Sequence, residues 1–274
     1  MSRKKKLAIF SRPRSGFLWR TDKIRAFYKE HGWEVRIAAP GDPDLEKKAK
    51  GARHAYVWNG VNSYSRRATV VFQNSGARLF TMEHGHFPQR THFHVAEGGL
   101  YGRHPGRLVN WDEVLTHSDW VNFQKERAAR DVERNPCRDV MVPLQVGNDV
   151  QVVHFGNGYN NDYLAAVDLG PDKWLRHHPK NPRKHPAEKL DNRPLGEALA
   201  SYDRVYGINS TVLLQAALWG LKVTAIGQSY LDWHPDPDVA IAAVLAMQVP
   251  NKTTDFTPWM RPHMGLQHLE EVFE

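Results

Sequence analysis

The sequence predicts an α/β fold built as two halves of similar size, each a mostly parallel sheet with helices, facing a cleft. Three observations predict it. Short β-rich runs alternate with amphipathic stretches along most of the 274 residues. Hydrophobic residues make up 41% and charged residues 24%, an ordinary globular composition that excludes wholesale disorder. The alternation halts at Asn135–Pro136 and then restarts, which sets the expected domains at 1–135 and 136–250, with 251–274 as a tail packing back on the first half.

In the first half, Leu7–Phe10 reads as a strand and Ser11–Trp19 as a loop. A helix follows over about Thr21–His31, with Thr21 or Asp22 as its cap and Gly32 as its stop. Trp33–Ala39 alternates like a strand and is halted by Pro40–Gly41. Ala55–Trp58 reads as a strand, Asn62–Gln73 as a helix and Ala77–Met82 as a strand. Glu83–Gly106 is rich in Gly and His, and reads as a long irregular stretch. A charged helix over Trp120–Arg134 leads out of the half.

The second half repeats the rhythm. Strands are expected at Val140–Gln145, Lys173–His177, Arg204–Ile208 and Leu221–Ile226. Helices are expected near Asp162–Asp168 and at Leu195–Tyr202, Ser210–Trp219 and Val239–Gln248, the last amphipathic. A basic, proline-rich loop spans Pro179–Pro186.

Charge narrows the partners. Lys and Arg total 37 against 30 Asp and Glu, a formal charge of +7 that favours an anionic partner. No apolar run reaches the length of a bilayer-spanning helix, and Leu7–Phe10 is too short for a signal-peptide core, so the expectation is a cytoplasmic protein without membrane insertion. The single cysteine, Cys137, excludes a disulfide framework and a thiolate metal cluster.

Candidate chemistry gathers where strands end. Tyr206–Thr211 ends a strand and opens a helix, and the donors of a helix N-terminus flanked by Asn209, Ser210 and Thr211 suit a phosphate, although the same residues serve as an ordinary cap. Neither a Walker-type loop nor a Gly-x-Gly-x-x-Gly run is present. Arg176–Lys180 follows another strand, where imidazole and ammonium neutralise a diphosphate. Of the adjacent His177 and His178, at most one faces the cleft. Glu83 and Glu97 are the carboxylates available as a general base, and each could equally be a surface or loop-stabilising group. His84, His86, His92 and His94 lack the spacing of a zinc site, and the Asp42–Pro43–Asp44 and Asp236–Pro237–Asp238 pairs read as helix caps. No metal is expected.

Several segments, taken in order, resemble the bacterial capsule polysaccharide family of Kdo-type glycosyltransferases. Val57–Gly60 and Glu83–Phe87 resemble that family's "WG…E-D-G-F-x-R-S", and Glu97–Tyr101 its "D-x-G-I-Y". Val142–Asp149 resembles "V-P-x-Q-V-x-x-D", and His178–Pro179 resembles "K-P-H-P". Asn209–Gly227 resembles "S-T-x-x-x-E-A-L-x-x-G-x-x-V-x-x-x-G". The resemblance implies a GT-B fold of two Rossmann-like domains, with the acceptor mainly on the first and a nucleotide-sugar, UDP- or CMP-linked, on the second. It implies metal-independent transfer. By position it assigns Gln145, His178, Asn209, Ser210 and Thr211 to the donor, to which the reading of the residues adds Asp149 and Lys180, with His178 stabilising the leaving group. It favours Glu97 as base, with Glu83 positioning it or the acceptor.

The resulting expectation is a glycosyltransferase. The basic balance points to a polyanionic acceptor, and the primary reading is double-stranded DNA carrying hydroxymethylated pyrimidines, as in phage-type modification in the host cytoplasm, with Arg12, Arg14, Arg66 and Arg90 meeting the acceptor. The alternatives are a cytoplasmic transferase of capsule or surface polysaccharide and a non-catalytic nucleic-acid-binding protein of the same fold.

Overall fold

A computed structural model describes residues 6–11, 18–60, 62–87, 91–99, 104–130, 132–147, 149–180 and 185–273. The chain divides into two compact units, one formed by Met1–Val109 with Ala246–Glu274 and the other by Asn110–Leu245.

The first unit runs β1 (Leu7–Ser11), α1 (Leu18–Glu30), β2 (Glu34–Ala38), α2 (Leu45–Ala49), β3 (His54–Trp58), α3 (Arg66–Asn74), β4 (Arg78–His84) and β5 (His92–Glu97). β1 is buried throughout, as its unbroken apolar run requires of a central strand covered on both faces. β2 carries Glu34 and Arg36 and lies at the sheet edge, where charge discourages further pairing. β1 to β4 are parallel, in the order β2-β1-β3-β4, and β5 adds antiparallel to β4. One face packs Leu7, Ile9, Ala55, Val57 and Leu79 against Ala49 and Phe72. The other packs Phe10, Tyr56, Phe80 and Met82 against α1 and the C-terminal residues Leu266, Leu269 and Val272.

In the second unit, α4 (Trp111–Val114) and α5 (His117–Ala128) precede β6 (Arg138–Pro143), α6 (Val150–Phe155), α7 (Asn161–Ala166) and β7 (Lys173–Arg176). Then come α8 (Leu195–Ala200), β8 (Tyr202–Gly207), α9 (Thr211–Leu218), β9 (Lys222–Ala225) and α10 (Pro237–Met247). The sheet is wholly parallel, in the order β7-β6-β8-β9. Its anchor is Asp191, whose side chain is only 1% exposed and takes hydrogen bonds from Arg138 (2.6 Å), Arg193 (2.5 Å) and the Tyr202 hydroxyl (3.0 Å). Burial opposes its ionisation, but those donors outweigh it and hold the carboxyl down at about 2. Gly227 is required by packing, since a Cβ there would lie 2.7 Å from the Ile208 side chain and 2.9 Å from the Phe155 carbonyl.

The chain ends in the first unit. β10 (Val249–Pro250) pairs antiparallel with β5, and α11 (Thr257–Met260) leads to a 3-10 turn at Gln267–Val272. Trp33 Nε1 donates to the Val272 carbonyl at 3.2 Å, His268 shares a hydrogen bond with the Tyr56 hydroxyl, and Arg78 pairs with Glu271.

Four of the differences from the sequence expectation matter most for the layout of the units. The helix expected over Trp120–Arg134 starts earlier, at His117, because Thr116 and Asp119 form a capping box. It also falls in the second unit, where Arg127 donates to the Leu218 carbonyl (2.8 Å) and binds Asp238 through two bonds, so the division lies at Val109–Asn110 rather than Asn135–Pro136. The stretch expected to be irregular contains β5, whose Phe93 and Val95 alternate with His92 and His94. Finally, α10 is buried on every side from Val239 to Leu245 rather than amphipathic.

Candidate functional site

In an open parallel sheet, ligands bind beyond the carboxyl ends of the strands, at the gap where successive connections leave in opposite directions. In the second unit that gap lies between β6 and β8, since β6 leads on to β7 on one side and β8 to β9 on the other. Gln145 follows the end of β6 and Asn209 the end of β8, and the two meet there. Gln145 Nε2 donates to Asn209 Oδ1 (3.0 Å), and the Asn209 N–H donates to Gln145 Oε1 (3.3 Å). Both residues are buried, as is Asn161, which was not anticipated. Asn161 clamps the Gln145 backbone, accepting from its N–H (2.9 Å) and donating to its carbonyl (2.6 Å). Asn209 Nδ2 donates to the Gln151 carbonyl at 2.9 Å. A run of buried amides thus floors the gap.

Two helix starts flank this floor. Ser210 caps α9 by accepting from the Val212 N–H at 3.2 Å, and Asp149 caps α6 by accepting from the Gln151 N–H at 3.0 Å. Ser210, Thr211 and Asp149 are half-buried. With Thr211 as the first residue of α9, the positive end of the helix lies at Ser210 and Thr211. β7 ends at Arg176, so His177 and His178 lie just beyond the strand. The His177 ring is tied to the His185 carbonyl (3.0 Å), while His178 is half-buried and its Nδ1 accepts from the exposed Lys180 N–H (3.1 Å).

The matching gap in the first unit lies between β1 and β3. Beside it, Glu83 sits next to last in β4 and is 7% exposed. Its Oε2 accepts from Asn59 Nδ2 (2.6 Å) and its Oε1 from the His84 N–H (2.9 Å). Asn59, just past β3, has a φ of 64°, and the Asn-Gly pair it forms with Gly60 was the overlooked turn signal.

Glu97 lies elsewhere. It is opposite Phe80 in the register while Glu83 is opposite His94, three steps along β4 or about 10 Å. An odd offset puts the two carboxylates on opposite faces of the sheet. Glu97 is exposed and bound by Arg78 through two bonds, at 2.9 and 2.6 Å. The expectation that both carboxylates serve one centre is therefore corrected. They cannot share a substrate atom from these positions.

Of the basic residues expected to meet an acceptor, Arg66 is the exposed first residue of α3 and lines a groove of about 850 Å³ with Lys50 and Arg67. Arg12, Arg14 and Arg90 lie outside the described residues. His86, His94 and His104 are buried close together, with ring centroids 5.2 and 6.4 Å apart. Burial lowers the pKa of His86 to about 4, that of His104 to about 3 and that of His94 well below the usual range. Among the described residues, no group of three or more His, Cys, Asp or Glu is placed to hold a metal ion. Of the two Asp-Pro-Asp segments, Asp42–Asp44 is a turn leading into α2, with Asp42 accepting from the Asp44 N–H (2.9 Å), and Asp236 caps α10 by accepting from the Asp238 N–H (2.8 Å).

Among the described residues, no helix is long and apolar enough to cross a membrane. No family model matches the chain, and no curated protein is similar enough to match it. Solved structures do match. The chain is similar to a structure titled as Thermosulfurimonas dismutans KpsC, beta Kdo 2,7 transferase, with 13% identity and a TM-score of 0.60 over 98% of this chain and 99% of that one. It is also similar to a structure titled as KpsC, beta Kdo 2,4 transferase, from the same organism, with 16% identity and a TM-score of 0.61 over 88% and 90%. This likeness extends along nearly the whole length, and it identifies the architecture as a mixed α/β fold shared with Kdo transferases.

Proposed function

We propose that the protein is a glycosyltransferase of the capsule polysaccharide type, moving an acidic sugar of the Kdo class from its nucleotide donor to a hydroxyl of an anionic glycan. The observation that carries this reading is the full-length fold likeness to two Kdo transferases. That likeness gives no support to DNA as acceptor, and the glycan reading replaces it. In this reading the second unit holds the nucleotide. The α9 N-terminus with Ser210 and Thr211 binds the phosphate, and His178 or Lys180 offsets the charge that develops as the sugar–phosphate bond breaks. Glu83 receives the proton of the acceptor hydroxyl as its oxygen bonds to the anomeric carbon. Hydrogen bonds from Asn59 Nδ2 and the His84 N–H orient this buried carboxylate for that task.

The test is mass spectrometry of the purified protein incubated with CMP-Kdo or a UDP-sugar panel, in the presence of Kdo-terminated oligosaccharide or hydroxymethylated duplex DNA. A mass gain on the oligosaccharide with CMP-Kdo is expected. Gain on DNA alone would restore the earlier reading, and no donor consumption under any condition would leave a binding protein.

A further inference from the structure

We propose that Asn59 is the positioning residue of the reacting carboxylate, holding Glu83 in one orientation through a side-chain amide that is itself locked by Asn62. The proposal rests on Glu83 as the acceptor's base. Asn59 Oδ1 accepts from the Asn62 N–H (3.3 Å) and from Asn62 Nδ2 (3.2 Å). With the backbone donor fixed on one side and a carboxylate on the other, the amide has a single satisfactory orientation, its NH₂ toward Glu83. Asn62 is held in turn, its Oδ1 accepting from the N–H (2.8 Å) and hydroxyl (2.9 Å) of Ser65 at the start of α3. The relay therefore runs from a helix cap to a buried carboxylate.

The backbone of the relay is equally fixed. The Asn59 N–H donates to the Met82 carbonyl at 2.7 Å, so the amide is referenced to the residue just before Glu83. Asn59 adopts a left-handed φ that non-glycine residues rarely take, and asparagine is among the side chains that tolerate it. Gly60 follows with φ 70°, and its carbonyl accepts from Thr69 Oγ1 at 2.6 Å, tying the turn to α3. An uncommon backbone state maintained next to a buried carboxylate is a cost that positioning explains.

The experiment compares wild type with Asn59→Gly, which keeps the turn and deletes the amide, and with Asn59→Asp, which keeps the shape but turns a donor into an anion. In Asn59→Gly, kcat is expected to fall about 10- to 100-fold while KM for both substrates stays within about threefold. In Asn59→Asp, the acid limb of the kcat profile moves up by about one pH unit or more, because a second carboxylate disfavours ionised Glu83. A carboxyl-carbon NMR titration, with Glu83 assigned by its loss in Glu83→Gln, reads the same shift without turnover. Asn62→Ala leaves Asn59 in place and frees its amide, and an intermediate loss is expected; it serves where an Asn59 variant does not fold. Unchanged kcat, pH profile and Glu83 titration in the folded variants would overturn the proposal. Full transfer by Glu83→Gln would remove the catalytic reading, while the NMR titration would still decide whether Asn59 governs Glu83.

Discussion

Gln145 and Asn209 bind each other through two hydrogen bonds over the gap between β6 and β8, so the ends of two central strands are joined by side chains rather than by the sheet ladder. Both residues are buried, and truncating one strands polar groups of the other. Gln145→Ala and Asn209→Ala are each expected to destabilise the protein by about 1–3 kcal/mol. The double variant should cost less than the sum, because its second truncation removes a group already left unpaired. Urea unfolding of the four proteins measures the coupling. Strict additivity would show that the pair does not act as a unit.

The helix start beside that pair carries a separate expectation. Ser210→Ala with Thr211→Ala removes a cap worth about 1 kcal/mol and the hydroxyls nearest the α9 N–H groups. The protein should remain folded while its affinity for CMP or UDP falls by about tenfold or more, as one lost charge-assisted hydrogen bond implies. Calorimetric titration of the nucleotides reads this directly. Equal affinity in the folded double variant would remove α9 from the donor site.

Much of this layout was legible because its signals are local. The β1 run, the Asn209–Ser210–Thr211 cap and the strand before His178 are each encoded within a few residues. Pairing across the sheet is not. Nothing in the separate segments around Gln145, Asn161 and Asn209 states that three amides will interlock, because β6 and β8 are joined by a long excursion through β7. Glu97 misled for a related reason. The motif it opens resembles one in which the capsule family places an acidic residue, but β5 runs antiparallel to β4, and that reversal carries its end away from the edge where Glu83 lies. β5 itself was hidden because its alternating polar positions are histidines, one of them, His94, buried like the apolar residues beside it.

Those histidines have a consequence for stability. His54, His86, His94, His104 and His268 all belong to the first unit, and burial lowers the pKa of each. Glu271 partly offsets the effect at His54. A histidine buried as the neutral form gains a proton on unfolding below about pH 6.5, so the unfolded state binds more protons there and stability falls as the pH drops. The contribution is whole above that value and is lost progressively toward the folded pKa, about 4 for His86 and about 3 for His104. Each such group costs about 1.4 kcal/mol per pH unit, so several together approach the stability of a domain near pH 5. Amide hydrogen exchange at pH 7.5 and pH 5, corrected for intrinsic rates, should show the first unit opening while the second keeps its protection. Uniform loss across both units would mean that these histidines do not control it.

The carboxylates give the sharpest contrast. Glu97 is exposed and its partner Arg78 lies on the surface beside it, so Glu97→Gln breaks an exposed ion pair and should cost about 1 kcal/mol or less. Transfer should stay within about threefold of wild type, since nothing at that end of β4 faces the edge where the strands present their carboxyl termini. Glu83→Gln replaces a buried anion with an amide that retains the shape but has no basicity, and should lower transfer by about a hundredfold or more. Nucleotide affinity, measured in parallel, should be unchanged in both, because Glu83 and Glu97 belong to the first unit and the proposed nucleotide site to the second. Loss of transfer in Glu97→Gln with Glu83→Gln fully active would reverse the assignment despite the register. Retention in both would mean that neither carboxylate takes the acceptor's proton, and the base would then have to be sought among the other groups around Glu83, beginning with His84 and His94.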